Sequence, residues 1–277
     1  MTVFNAFILG LIQGVSEFLP ISSSGHLAIF GRIMGIDAEG SNLLFFNVLL
    51  HVATLFAVFA VYYKDIWEMI KAFFMMLGDL FSGKGLRLKE FFYRRLVVML
   101  ILGTLPAVVA ALLFGDIIEN PALWQIGCFL IITAILLFIS EKQSGGKTEL
   151  EDMTPLKAIC IGCFQGLGTL PGISRSGSTI VGGLFSGVEK NSAVRFSFLL
   201  SIPAILGALV LELKDVFSAG SQDFTFLSVI TGMLTAAISG YFAIRFLLRL
   251  VQKSKLGYFS YYCTAAGIVA IILNFII

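Results

Sequence analysis

The chain has 277 residues, of which 58% are hydrophobic and 13% charged, against roughly 25% charged in an average soluble domain. This composition and a mean hydropathy of +0.96 exclude an ordinary soluble domain and indicate an integral membrane protein. The net charge of +2 gives no reason to expect a nucleic acid as a partner. We therefore expect a single, all-α membrane domain over residues 1–277.

Six apolar runs reach or approach the roughly 20 residues that a membrane-spanning helix needs. They are 43–63, 96–115, 122–140, 196–211, 224–244 and 256–277, and the fourth is short. Two further apolar segments, 1–35 and 155–188, are interrupted by Pro20 and by Pro171-Gly172. Because two such short helices cannot both cross, we predict that each segment is a re-entrant helical hairpin. Non-helical backbone within the bilayer is tolerated only where protein covers it or where it lines a water-filled cavity. The two breaks therefore predict a functional site.

Most basic residues lie in four of the connections between these runs. Residues 64–95, 141–157, 189–195 and 245–255 contain 16 of the 19 Lys and Arg residues. The positive-inside rule therefore places these connections in the cytoplasm. Three predicted spans separate the hairpins, so the first hairpin enters from outside and the second from the cytoplasm. The first of these connections also carries apolar residues between its charges and predicts a helix on the inner membrane surface.

The two interrupted segments are also related in sequence. A shift of 152 residues places Gln165 on Gln13, and the run 173–177 on the run 21–25, without a gap. We predict two related halves of inverted topology whose polar loops meet at one site. The predicted halves are 1–140 and 155–277.

Each break is followed by a serine, Ser22 or Ser174, placed to cap the next helix. Two helix N-termini that face one another would present unpaired N–H groups and positive dipole ends, which bind anions. Arg175 follows the second serine in an apolar segment, where a guanidinium costs about a few kcal/mol and usually marks a ligand or a pathway. The planar guanidinium has paired N–H donors whose spacing suits two oxygens of one phosphate group.

The polar residues around the predicted anion site supply an acid, hydroxyl groups, an imidazole and a guanidinium. The first loop provides Glu17, Ser22, Ser23, Ser24 and His26, and the second provides Ser174, Arg175, Ser176, Ser178 and Thr179. These groups fit phosphoryl transfer, either by a serine assisted by Glu17 or His26 or by a metal-activated water. The alternative function is a secondary transporter or lipid flippase, since inverted repeats with broken helices are typical of transporters. We interpret His51, alone in an apolar span, as an interior histidine.

Three stretches resemble the motifs of bacterial undecaprenyl pyrophosphate phosphatases of the bacitracin-resistance type. They run from Gln13 to Glu17, from Pro20 to His26 and from Pro171 to Thr179. The resemblance extends through essentially the whole chain. It implies a multi-pass enzyme of the bacterial cytoplasmic (inner) membrane that hydrolyses undecaprenyl (C55) pyrophosphate to undecaprenyl phosphate and inorganic phosphate. That reaction recycles the lipid carrier for peptidoglycan synthesis, and the resemblance places its site toward the outer face.

The resemblance also implies roles for particular residues. The catalytic residues would be Glu17, Ser23, His26 and Arg175, and the substrate-binding residues would be Gln13, Ser22, Ser24, Ser174, Ser176 and Thr179. A divalent cation, usually Mg²⁺, assists the family. The first motif of the family often has two acids, whereas Gln13 stands at the first position here, so we expect Mg²⁺ to arrive on the substrate pyrophosphate. Whether the chain forms a homo-oligomer is left open.

Overall fold

Helices form every regular element in the residues that the computed structural model describes, which are 1–36, 41–114, 121–141, 146–218, 225–252 and 256–276. They are α1 (Val3–Phe18), α2 (Ser23–Ile33), α3 (Ser41–Phe81), α4 (Phe92–Leu113), α5 (Leu123–Glu141), a 3₁₀ turn (Leu150–Asp152), α6 (Pro155–Leu167), α7 (Arg175–Phe185), α8 (Lys190–Ser218), α9 (Phe226–Gln252) and α10 (Gly257–Leu273). The predicted all-α class is therefore confirmed for this part of the chain.

Five helices are long and apolar enough to cross a membrane, within the residues described. They are Phe45–Phe81, Phe92–Leu113, Leu123–Glu141, Lys190–Val210 and Phe226–Gln252. Each covers most or all of one of the first five predicted spans. The sixth predicted span, 256–277, forms the shorter apolar helix α10 of 17 residues. The chain is thus a multi-pass membrane protein, and the crossing of α10 stays a prediction.

Two helices extend further than the hydropathy pattern indicated. The predicted helix after residue 63 is present as the second part of α3, which runs to Phe81. A kink at Tyr62, whose φ of −112° and ψ of 26° lie outside helical values, separates it from the first part, and its location on the inner membrane surface stays a prediction. Likewise, the short fourth run is part of the 29-residue α8, which begins in a polar turn and contains Pro203. In both places backbone hydrogen bonding continues past the point where apolar composition ends.

Both predicted breaks are confirmed. The helix α1 ends two residues before Pro20, and α6 ends ahead of Gly172, which has a positive φ of 106° that favours glycine. The capping serines are also confirmed: Ser22 Oγ accepts a hydrogen bond from the Gly25 amide at 3.3 Å, and Ser174 Oγ accepts one from the Gly177 amide at 3.1 Å. Each interrupted segment therefore consists of a helix, a turn and a second helix that begins at a side-chain cap.

The helix pairs bring the two interrupted segments to the same region. The helix α1 packs against α9, α6 packs against α4, and α5 packs against α10. The second helix of the later segment, α7, contacts α1, α5 and α8. Phe18, at the end of α1, meets Phe198 of α8 edge to face, with ring centroids 5.5 Å apart. This contact anchors the end of α1 on α8, and with it the polar turn that follows α1 in the chain.

Glycines allow the closest of these helix contacts. A Cβ atom on Gly10 of α1 would lie 2.3 Å from the carbonyl oxygen of Gly232 on α9. A Cβ atom on Gly162 of α6 would lie 2.4 Å from the carbonyl oxygen of Gly103 on α4. Neither position can accept a side chain without separating its helix pair, which is the small-residue packing common between membrane helices.

Candidate functional site

Glu17 lies at the centre of the polar residues, in the last turn of α1. Its side chain is 2% exposed. One carboxylate oxygen, Oε1, accepts a hydrogen bond from the guanidinium of Arg175, at the first position of α7. The other, Oε2, accepts hydrogen bonds from Ser23 Oγ at 2.6 Å and from Gln13 Nε2 at 3.0 Å. The structure thus joins the two loops through one ion pair, and four of the predicted site residues meet at one carboxylate.

The turn between α1 and α2 places Ser23 against this carboxylate. Pro20 prevents the helix from continuing, because it lacks a backbone N–H and its ring clashes with the preceding turn. Ser22 then adopts a positive φ of 71°, which residues other than glycine rarely do. Backbone strain of this kind occurs preferentially at functional sites, where the surrounding structure maintains it. Because α2 starts directly at Ser23, the hydroxyl is presented at a helix N-terminus.

The positive charge of the site comes from Arg175 and two helix ends. Within the described part of the chain, the guanidinium makes its one side-chain hydrogen bond to Glu17 and is 19% exposed. A guanidinium has five N–H donors, so further donors can bind an anion. The first turns of α2 and α7 add the positive ends of two helix dipoles. The site can therefore bind a group with several negative oxygens beside the Ser23 hydroxyl.

His51 is the residue at the site that the sequence interpretation missed. We interpreted it as an interior histidine, but its Nδ1 atom lies 2.9 Å from Gln13 Nε2 and 3.5 Å from Glu17 Oε2. Its side chain is 32% exposed, which makes it more accessible than the carboxylate beside it. It lies on α3, which packs against α1. The available signal was an ionisable group in an apolar span, which usually indicates function.

His26 makes its hydrogen bonds away from the carboxylate. Its Nδ1 atom lies 2.8 Å from the carbonyl oxygen of Ser22, and its Nε2 atom lies 2.7 Å from the hydroxyl of Tyr262. The His26 and Tyr262 rings also stack, with centroids 5.6 Å apart. Tyr262, on α10, thus contacts a predicted catalytic residue. The structure therefore does not join His26 to Glu17, and His26 borders the site through the Ser22 backbone.

The remaining predicted residues of the second loop connect the site to its surroundings. Ser176 Oγ donates a hydrogen bond to the carbonyl oxygen of Leu19 at 3.2 Å, which links the second loop to the first. It also lies 3.2 Å from the hydroxyl of Ser174. Thr179 Oγ1 lies 2.5 Å from Ser197 Oγ on α8. These contacts indicate that the three residues hold α7 in place, so that Arg175 reaches the first loop.

The predicted serines of the first loop differ in exposure. Ser22 is buried as the cap of α2, while Ser24 is exposed and lies 3.4 Å from it, measured between hydroxyl oxygens. Ser23, between them, is partly exposed. The middle serine is therefore the one that combines access with a direct contact to a carboxylate.

The acidic, histidine and cysteine side chains that the structure describes do not cluster as a metal centre requires. No group of three or more His, Cys, Asp or Glu side chains that could hold a metal ion occurs in the described ranges. Glu17 is a single carboxylate whose oxygens already accept hydrogen bonds from Arg175, Ser23 and Gln13. Divalent cations such as Mg²⁺ prefer sites with several oxygen ligands, and substrate phosphates commonly supply some of them.

Comparisons with known proteins show similarity over nearly the whole chain. A family model described as "Bacitracin resistance protein BacA" matches residues 6–269. An undecaprenyl-diphosphatase from Alkaliphilus metalliredigens is 47% identical over 276 residues, which cover 99% of each chain. Proteins of the same name from Halothermothrix orenii and Methanosphaera stadtmanae are 42% and 39% identical, over 275 and 282 residues. These matches cover 99% and 100% of the present chain and 98% and 100% of the relatives.

Proposed function

The chain belongs to the bacitracin resistance protein BacA family, and from this premise we propose that it is a membrane phosphatase acting on undecaprenyl pyrophosphate. It hydrolyses the terminal phosphoanhydride bond and yields undecaprenyl phosphate and inorganic phosphate. The lipid carrier thereby returns to peptidoglycan synthesis. A polyprenyl tail remains in the bilayer while the pyrophosphate enters the polar site at the ends of α1, α2 and α7.

The contact between Ser23 and Glu17 carries this proposal. A hydroxyl 2.6 Å from a buried carboxylate is the arrangement of a nucleophile and its general base. Ser23 Oγ attacks the terminal phosphorus while its proton moves to Glu17 Oε2. The bond from phosphorus to the bridging oxygen breaks, and undecaprenyl phosphate leaves with the electron pair. Water then attacks the phosphorus of the phosphoserine and gives a proton to Glu17, which passes it to the departing Ser23 Oγ; inorganic phosphate is released and the serine hydroxyl is regenerated.

Arg175 binds the phosphate oxygens during this transfer. Its contact with Glu17 holds the guanidinium at the start of α7. Because the guanidinium is rigid and planar, its remaining N–H donors point in fixed directions. Positive charge at the equatorial oxygens stabilises the transition state of phosphoryl transfer, in which protein groups mainly position and neutralise charge. The N-termini of α2 and α7 supply the same kind of stabilisation through backbone N–H groups.

Mg²⁺ belongs to the substrate in this proposal. A cation bound to the pyrophosphate would neutralise part of its charge before it meets the site. The single carboxylate of Glu17, already paired with Arg175, supports this over a cation held by the protein. His26 and Tyr262 position the Ser22 backbone next to Ser23 through their hydrogen bond.

The proposed architecture is an inverted pair of halves with six crossing helices and two re-entrant hairpins. The first helix of each half packs on the fourth helix of the other, α1 on α9 and α6 on α4, which supports a two-fold relation. Gly10 and Gly162, which make these contacts, occupy equivalent positions 152 residues apart. The basic connections lie in the cytoplasm, and the site opens toward the outer face.

The orientation can be tested by labelling. In a cysteine-free background, a cysteine introduced at Lys84 should react with an impermeant maleimide only in inside-out vesicles. Reaction in right-side-out vesicles would contradict the proposed orientation.

Phosphate release from undecaprenyl pyrophosphate by the purified protein in detergent tests the function. We expect release by the unchanged protein and a loss of about 10³-fold or more in Ser23→Ala, since removing a nucleophile disables the whole catalytic unit. Arg175→Lys should lower the rate of phosphate release about 10²-fold, because an ammonium group cannot reproduce the paired N–H donors of the guanidinium. Ser186→Ala, a serine at the far end of α7 that bonds its own helix, is the matched control. Absence of release, together with lipid flux in liposomes, would instead favour the transporter.

A further inference from the structure

We propose that His51 is a proton-transfer residue, which takes the proton of Ser23 from Glu17 and delivers it to solvent in every catalytic cycle. This inference rests on the proposed phosphatase function and extends it by assigning the route of the proton. His51 is not part of the three motifs that indicated the site.

The chemistry of the leaving group requires such a route. In a serine hydrolase that cleaves an amide, the base returns the serine proton to the leaving amine. Here the leaving group is a phosphate monoester, which is stable as an anion at neutral pH and takes no proton. The proton therefore stays on Glu17 after the first step. Glu17 cannot accept a proton from the attacking water until it has lost the first one.

The contacts of Glu17 direct that proton toward His51. Oε1 is bound to Arg175, which cannot accept a proton at neutral pH. Oε2 lies 2.6 Å from Ser23 Oγ and 3.5 Å from His51 Nδ1. The oxygen that receives the proton is thus the oxygen that faces the imidazole. The 3.5 Å separation exceeds the usual N···O hydrogen-bond distance of about 2.7–3.2 Å, so the transfer requires the imidazole and the carboxylate to approach one another.

Gln13 determines which nitrogen of His51 is the acceptor. Its side-chain amide has two N–H groups and lies 3.0 Å from Glu17 Oε2 and 2.9 Å from His51 Nδ1. With one N–H donated to each, the Nδ1 atom carries a lone pair and the neutral ring carries its proton on Nε2. The imidazole is therefore held with its basic nitrogen toward the carboxylate, and Nδ1 accepts the proton from Glu17 as its hydrogen bond from Gln13 breaks.

The difference in exposure makes His51 the more accessible of the two groups in the polar site. Glu17 is enclosed, with 2% of its side chain exposed, whereas 32% of the His51 side chain is exposed. The imidazolium formed by transfer from Glu17 to Nδ1 loses its Nε2 proton to water, and exchange of the Nδ1 proton with solvent then restores the neutral form that carries its proton on Nε2. Histidine suits this role because its ordinary pKa of about 6.5 lets it bind and release a proton near neutral pH. Gln13 and His51 lie together on the Oε2 side of Glu17, opposite Arg175, and the imidazole is the group on that side that can carry a proton.

The test compares His51→Gln and His51→Ala with the unchanged protein in the phosphate-release assay. Glutamine can accept the Gln13 hydrogen bond through its carbonyl but cannot carry a proton, and alanine leaves space for imidazole. We expect His51→Gln to lower kcat by about 10²-fold, which is within the usual effect of acid–base groups, with KM changed by less than about twofold. Added imidazole should raise the rate of His51→Ala in proportion to its concentration. Size-exclusion profiles and thermal midpoints would establish that both variants are folded.

Each outcome has a defined meaning. Ser23→Ala with imidazole must stay inactive, which shows that imidazole does not itself cleave the substrate. An unchanged kcat in His51→Gln, a loss confined to KM, or no effect of imidazole on His51→Ala would overturn the proton route while leaving the phosphatase function intact. Absence of phosphate release by the unchanged protein would overturn the function itself.

Discussion

Removing both partners of the Glu17–Arg175 pair should destabilise the protein by less than the sum of the two single removals. The two side chains are 2% and 19% exposed, so neither charge is well solvated after its partner is lost. Breaking a buried ion pair from one side typically costs about 3–5 kcal/mol, because an uncompensated charge remains in the interior. We therefore expect about 3 kcal/mol or more for Glu17→Gln and a similar value for Arg175→Gln.

The double variant Glu17→Gln/Arg175→Gln removes both charges, so its cost should be smaller than the sum of the single costs by about 2 kcal/mol. Unfolding by increasing SDS in mixed micelles gives the three free energies. The exposed pair of Glu68 and Lys71, 2.6 Å apart on α3, is the matched control. Its coupling should be about 0.5 kcal/mol or less. Additive costs at the site, within about 0.5 kcal/mol, would refute the buried ion pair.

The remaining predictions concern packing and charge away from the carboxylate. Gly10→Ala should cost about 1–3 kcal/mol in SDS unfolding because its contact with α9 has no room for a Cβ atom, whereas Gly207→Ala, which meets open space, should cost nothing. Burial alone would raise the pKa of Glu189, but hydrogen bonds from the first turn of α8 outweigh it and lower this pKa below its usual value. Its contribution to stability should be present above the unfolded-state pKa of about 4.3 and lost as the pH falls through the folded-state pKa, and thermal midpoints of Glu189→Gln should show a weaker acid dependence. Asp65→Asn should lower stability by about 1–3 kcal/mol, since Arg195 donates two hydrogen bonds to Asp65, at 3.0 and 2.5 Å; an unchanged midpoint would contradict this.

The parts of the fold that depend on neighbouring residues could be predicted from the sequence. Proline and glycine interrupt helices through their own backbone, so the turns at Pro20 and Gly172 were visible in the chain, as were the caps at Ser22 and Ser174. The repeat indicated that Arg175 and the first loop share a site, and their contact through Glu17 agrees with that expectation. Local chemistry and duplication were sufficient for these features.

Features that depend on helix packing were not predictable in this way. His51 and Tyr262 reach the site from α3 and α10, and their helix patterns do not distinguish a side chain that faces a polar site from one that faces lipid. A helix beyond Tyr62 was predicted, but its direct connection to α3 across a kink was not, because hydropathy falls where the chain reaches its first charged residues. Hydropathy reports the surroundings of a segment, whereas hydrogen bonding decides where a helix ends.

The measurement that tests the central claim most directly is an experimental structure with a non-hydrolysable undecaprenyl methylenediphosphonate bound in a lipid bilayer. The account predicts that the terminal phosphorus lies about 3–3.5 Å from Ser23 Oγ, with its oxygens bound by Arg175 and with Ser23 still hydrogen-bonded to Glu17. A phosphonate bound away from Arg175, or a Ser23 hydroxyl directed away from both the phosphorus and Glu17, would contradict it.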